Sequence, residues 1–173
     1  AKLLMADGWY AKVINLCEDI LKIQPDNVNA LQISGSAYVK TKDFEQAEKQ
    51  FNKILPLQPD IGDINLANLS LESGQLSKCI SQCEAVIKTS PDDANVYSIL
   101  GLAHVRRGSL EKGIEQFKRV IEIKPDLDSA YLNLARAFVA SGKTEEAFNT
   151  LEKAVSLNPG NVDTGIMLAG LYQ

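Results

Sequence analysis

Cysteine, histidine and tryptophan are scarce in this chain, with three, one and one among 173 residues. Three cysteines do not make a disulfide framework, and the lack of a CxxC pair beside a lone His104 disfavours a zinc site. Cys79 and Cys83 lie four apart on one helical face with Cys17 remote from them, so all three read as small apolar core residues and leave the redox compartment open. Long apolar runs are also missing. None approaches the ~18 residues of a transmembrane helix, which argues against direct membrane insertion. The opening AKLLMADGWY has no succession of charged, apolar and cleavage-site residues, so no targeting signal is read there. Basic charge is not concentrated either: 18 Lys and Arg against 22 Asp and Glu give a net charge of -4, and the scattered cations do not form a nucleic-acid surface. What remains, 45% hydrophobic and 23% charged residues, is the balance of a folded, soluble chain whose compartment, cytoplasmic or periplasmic, is not fixed.

The prolines reveal how that chain is organised. Pro25, Pro59, Pro91, Pro125 and Pro159 recur at intervals of 34, 32, 34 and 34 residues, and a fixed period is the first thing to settle about a fold. The unit is clearest over 94–127. Tyr97, Leu100, Gly101 and His104 open it, Gly108 makes a bend, and Ile114, Phe117, Val120 and Ile121 form an apolar stripe before Pro125. That spells two helices and a tight turn. The same reading divides the chain into 1–27 (the end of a first helix, a bend at Gly8 and a second helix), 28–61, 62–93, 94–127, 128–161 and 162–173 (a first helix alone). All are placed in one domain, read as part of a longer array. The 62–93 unit is two residues short, and the deficit is assigned to the linker or first turn around Asp60–Ile64, predicting a tightened connection there. Ser70, Cys79 and Cys83 predict the loosest packing in the same unit.

Local chemistry fits the pattern. Gly8, Gly74, Gly108 and Gly142 permit a left-handed residue at the bend, and Lys42 and Asp43 in the second unit's bend show that glycine is not obligatory there. Asp43, Ser77 and Thr144 are candidate helix starters, and Asp26, Asp60, Asp92 and Asp126 suit the positive end of the next helix. Glycine or alanine at 35, 67, 101, 135 and 169 lets paired helices approach closely. Helices this short are marginal alone, so neighbours must supply stability.

Leu-Gly and Tyr in the first helix, Ala then Phe in the second, and a closing Pro on a 34-residue period resemble the tetratricopeptide repeat. The resemblance covers essentially the whole chain, with Leu31, Tyr97 and Tyr131 in the family's tryptophan slot. It implies an all-α, right-handed solenoid of stacked antiparallel hairpins acting as a protein-protein interaction scaffold, with no enzymatic activity. It also implies that first helices line a concave groove for an extended peptide or partner helix. Counted around each helix, the inward residues are Asn29, Gln32, Ile33, Ser36, Val39 and Lys40, followed by Ile64, Asn65, Asn68 and Leu71. Asn95, Ser98, Ile99, Leu102 and Arg106 come next, then Leu132, Asn133, Arg136 and Val139. Ile33, Asn65, Ile99, Asn133 and Met167 share one slot, in which an amide can bond a peptide backbone and an isoleucine reads side-chain shape. Gln32, Ser36, Asn95 and Ile99 depart from the slots of family members that clamp an acidic tail. The alternative for any one of these residues is packing between repeats.

No catalytic constellation emerges, and neither a metal nor a cofactor is expected. Gly142-Lys143-Thr144 imitates the end of a phosphate-binding loop, but Ala137 takes its first glycine position and both flanks read as helix. His104 falls in a semi-aromatic packing slot, and the sequon Asn68-Leu69-Ser70 lies mid-helix. Glu18 with Lys22, Glu45 with Lys49, and Glu115 with Arg119 read as solvated i,i+4 supports. Two alternatives to a free-standing scaffold remain open. One is a substrate-recruiting segment of a larger enzyme such as a glycosyltransferase. The other is a self-assembling module joined through uncapped ends, where Ile166, Leu168, Leu171 and Tyr172 have no partner helix.

Overall fold

The computed structural model describes residues 2–171, with side chains within 8–171. Ten helices and no strand occur among the described residues. They are α1 (Lys2–Ile23), α2 (Val28–Lys40), α3 (Phe44–Ile54), α4 (Pro59–Glu72), α5 (Leu76–Thr89), α6 (Ala94–Arg106), α7 (Leu110–Ile123), α8 (Asp128–Ala140), α9 (Thr144–Leu157) and α10 (Val162–Leu171). They fall into two compact units, α1–α5 and α6–α10, divided between Ser90 and Pro91. Tyr172 lies outside the described residues.

Each bend between paired helices is built the same way. Lys42, Gly74, Gly108 and Gly142 take positive φ values of 62°, 78°, 83° and 76°. The next N–H then reaches back to close the helix end: Asp43 to the Tyr38 carbonyl, Gln75 to Ser70, Ser109 to His104 and Lys143 to Phe138, at 2.8–2.9 Å. Among the described residues Lys42 is the one non-glycine in that left-handed position, and it is exposed; an L residue there costs about 1 kcal/mol. Lys42→Gly is therefore expected to stabilise the protein by roughly 0.5–1 kcal/mol, read as a higher urea midpoint.

Three local expectations are corrected. α1 runs straight through Gly8, with no bend, because nothing packs against a Cβ direction there and the flanking Ala, Leu, Met and Lys residues favour helix continuation. The two-residue deficit does not tighten the linker. Four residues separate α3 from α4, as they do α7 from α8; α3 is three residues shorter than α5, α7 and α9, 11 against 14, and α4 is one longer than α6 and α8, 14 against 13, which leaves the net loss of two. Pro56 explains it. This off-period proline has no N–H to continue the ladder, so α3 stops at Ile54 and Pro59 becomes the first residue of α4. Asp60 stands in the first turn of α4 as expected, but at α2 and α6 the capping falls one place later. Asn27 and Asp93 accept backbone N–H bonds, from Ala30 at 3.0 Å and Asn95 at 2.7 Å. Asp92 instead meets Arg119 at 3.1 Å. Asp43 caps α3 as expected.

Of the surface pairs, Lys49 meets Glu45 at 2.8 Å. Lys22 turns to Asp19, and Glu18 accepts from the Tyr38 hydroxyl. Arg119 lies over the Tyr97 ring and pairs with Glu122 and Asp92 rather than Glu115. All are exposed and contribute little.

The cores show why the small first-helix residues matter. In the first unit Leu31, Val39, Ala47, Phe51, Ile54 and Leu69 form one cluster. A Cβ at Gly35 would lie 2.3 Å from Phe51 Cε1, and one at Gly101 would lie 2.6 Å from Phe117 Cε1. The corresponding pair Ala135 and Leu151 shares a cluster in the second unit. Tyr97 and Tyr131 donate their hydroxyls to the carbonyls of Pro91 and Pro125 at 3.0 and 2.9 Å, tying the first helices to the preceding turns. Cys17, Cys79 and Cys83 are all buried, and so is His104, in keeping with their reading as packing residues. Ser70, also buried, donates its hydroxyl to Gln82 Oε1 at 2.6 Å.

Candidate functional site

In the first unit, α2 projects Gln32, Ile33, Ser36 and Lys40 from one face at helical spacing. From α1, Trp9, Tyr10 and Val13 stand opposite them. Together with Ala37 these residues line a cleft of about 390 Å³. Ile33 is 52% exposed and Trp9 61%, so the cleft offers apolar surface to a ligand. The Trp9 ring is held edge-on to Tyr10, with centroids 5.2 Å apart. Among the described residues of the lining, Lys40 is the one that carries a charge. Gln32 Nε2 donates to Asn65 Oδ1 at 3.5 Å, linking α2 to α4, while Asn65 Nδ2 is buried without a partner. Asn68 is exposed farther along α4. A second trough of about 500 Å³ continues from Trp9, Val13 and Ile33 to Leu16, Cys17, Ile20, Asn27, Asn29 and Ala30.

The second unit places its expected residues less uniformly. Arg136 reaches Asp163 at 3.8 Å, so α8 is linked to α10. Asn133 is half-buried, and Asn95 and Arg106 are exposed. Leu102 packs on the Ile114–Phe117–Phe138 cluster. Ile99, at 9% exposure, is a core residue rather than a presented one, and Val39, Leu71 and Leu132 are buried likewise. Position in the repeat reports which way a side chain leaves its helix. Burial depends on what neighbouring helices place over it.

Trp9, Tyr10 and Val13 were not among the residues expected at the site. The signal was present, since Trp9, Val13, Leu16 and Ile20 recur at helical spacing on α1, but the expected groove drew on first helices alone. No group of three or more His, Cys, Asp or Glu among the described residues could hold a metal ion. None of the described helices is long and apolar enough to cross a membrane.

Comparison with known proteins places this geometry. The chain is 30% identical over 121 residues to the DnaJ protein P58IPK homolog B of Oryza sativa subsp. japonica, covering 61% of this chain and 26% of that protein. It thus spans about a quarter of that relative's length. Among solved structures, a thermophilic TPR protein of Thermus thermophilus superposes with a TM-score of 0.84 at 20% identity, covering 98% of this chain and 93% of the other. YrrB, described as a TPR protein with an unusual peptide-binding site, gives a TM-score of 0.66 at 18% identity, covering 96% and 87%. At such identities these two report a shared fold. Tetratricopeptide repeat family models match residues 4–69 and 128–161, and a TPR repeat model matches 101–140. With helical hairpins in both units and these matches along its length, the chain belongs to the tetratricopeptide repeat family.

Proposed function

We propose that the chain is a protein-interaction scaffold, without catalysis of its own, that binds a peptide segment or partner helix along its first helices. The observation that carries this reading is the cleft between α1 and α2. Exposed apolar residues line it, Gln32 and Ser36 can make polar contacts, and Lys40 brings a positive charge. Apolar anchors with a few placed polar groups are what peptide recognition requires. The favoured ligand carries a bulky apolar side chain for Trp9 and Ile33, with a carboxylate nearby for Lys40. Gln32, which Asn65 steadies from α4, offers its amide to the ligand backbone, and the exposed Asn68 extends that polar edge. Taken by itself, the second unit offers Asn95, Arg106, Asn133 and Arg136 on its own first helices as polar contacts for a bound segment, with the half-buried Leu102 beside them. The peptide-binding site named for YrrB is a precedent within the same fold.

Immobilised peptide arrays probed with wild type, Ile33→Asp, Lys40→Ala and Asn133→Ala test the proposal. Ile33 is half-exposed, so Ile33→Asp should fold normally yet lose about tenfold or more in capture of its best peptides, as expected for a central apolar anchor. Lys40→Ala should selectively weaken the acidic ones. Equal capture by all four proteins would remove the cleft from the account.

A further inference from the structure

The second unit carries a groove on the side of α8 turned away from Asn133 and Arg136. At 3.6 residues per turn, Tyr131 and Leu134 leave α8 roughly opposite those two. α7 and α9 flank them there, and the three helices enclose about 440 Å³, within the range of about 300–1,000 Å³ usual for ligand sites. Ile121 joins Tyr131 and Leu134 in its sheltered apolar part. Lys118 on α7, with Asn149 and Lys153 on α9, stands exposed at its rim. Every one of these residues belongs to the second unit.

That rim is positive, and the repeat does not require it to be. Lys118 takes a slot that holds Asn52 on α3, Glu84 on α5 and Glu152 on α9. A residue that the shared fold needs recurs from hairpin to hairpin, whereas this slot accepts either sign of charge or none. The places matching Lys118 and Lys153 in the first unit, on α3 and α5, hold Asn52 and Ala85. Nor are the two lysines engaged in ion pairs. Arg119, Arg136 and Lys143 each meet a carboxylate; among the described residues Lys118 and Lys153 do not. Exposed cations contribute little to stability even when paired. Glu122, the acid of the lining, is held by Arg119 at 3.0 Å. Lys118 Nζ stands 6.0 Å from the centroid of the Phe138 ring, drawn over α8 as a cation over an aromatic face. Thr150 donates its hydroxyl to the Glu146 carbonyl at 2.6 Å and keeps its lone pairs for an incoming N–H.

We infer that this groove is a docking surface separate from the α1–α2 cleft, and that its occupant is an acidic segment of a partner protein. One bulky apolar side chain of that segment enters against Ile121, Tyr131 and Leu134. Carboxylates on either side of it meet Lys118 and Lys153. Charge complementarity selects this occupant, since a neutral apolar segment would leave both lysines unpaired and a basic one would be repelled. Asn149 and Thr150 bond the segment's backbone.

Amide NMR of the full chain reads the groove directly. The probe is a blocked hexapeptide with Leu-Phe between two pairs of glutamates, and the controls replace its glutamates by glutamine or its Leu-Phe by Gly-Ser. The acidic peptide is expected to shift the amides of Ile121, Asn149, Thr150 and Lys153, with each control binding about tenfold or more weaker. Lys118→Glu installs the residue that α5 and α9 already carry in this slot, so helicity should be unchanged while affinity falls about tenfold. K118E/K153E should instead bind the peptide whose glutamates are replaced by lysines. No shift at these amides with millimolar acidic peptide overturns the inference, as does an equal response to the glutamine control or in Lys118→Glu. Shifts there on concentrating the protein without peptide also overturn it, because the groove then belongs to a second copy. Ile33→Asp should leave the response as in wild type, so this groove and the α1–α2 cleft fail or stand separately.

Discussion

Gly101→Ala is expected to destabilise the second unit by about 2 kcal/mol, although alanine is the better helix former. The new Cβ would sit 2.6 Å from Phe117 Cε1 and 2.9 Å from Cδ1. Phe117 is 1% exposed and enclosed by Ile114, Leu134 and Phe138, so its ring cannot swing aside cheaply. Overpacking of this kind costs up to about 3 kcal/mol, and the gain in helix propensity of about 1 kcal/mol offsets only part of it. Gly35→Ala against Phe51 should behave alike, with an approach of 2.3 Å. At Gly165, where nothing lies within 4 Å, the same substitution should stabilise. The chain itself holds the remedy, since Ala135 coexists with Leu151. G101A/F117L should therefore be more stable than Gly101→Ala alone, a coupling that a double-mutant cycle in urea measures directly. Additive losses would mean that the two side chains do not compete for the same space.

The second large effect concerns thiol chemistry. Cys79 and Cys83 are both fully buried, and a hydrogen bond with Cys79, then burial, push the Cys83 thiol far above its usual range. Thiolate is the reactive form, so these groups should react only when α5 opens. Labelling by an aromatic disulfide at pH 8 is expected to be slowed about 10³-fold or more relative to the unfolded chain, equivalent to an opening free energy of about 4 kcal/mol. Cys17, raised by burial alone, lies along the open trough of α1 and should label first. Mass spectrometry of partially labelled protein gives the order. Modification of Cys79 or Cys83 ahead of Cys17 would show α5 to be the less stable element.

Much of this architecture was legible because it is periodic. The spacing of five prolines located the hairpins, and the bend glycines located the left-handed residues. What escaped was aperiodic. Pro56 lies off the repeat, and only backbone accounting for a residue without an N–H shows that it, rather than a shortened linker, absorbs the missing pair. Gly8 looks like the other bend glycines in sequence, but a bend is imposed by a helix packing back, and α1 continues instead. The site was legible in part for the same reason. Gln32, Ile33, Ser36 and Lys40 follow from helical counting, whereas Trp9, Tyr10 and Val13 join them from the helix packed beside α2, a pairing that counting within one helix does not report. Ile33 and Ile99 share a slot, yet one is presented and the other enclosed, a difference set by the surrounding helices.

The size matching inside the hairpins limits how this array can be rebuilt. Moving α9 alone into the place of α7 would set Leu151 opposite Gly101 and leave a void where the Phe117 ring had been. Moving α7 into the place of α9 would drive that ring into Ala135. First and second helices are thus matched couples, and the smallest piece that recombination or an engineer can exchange without repair is the couple.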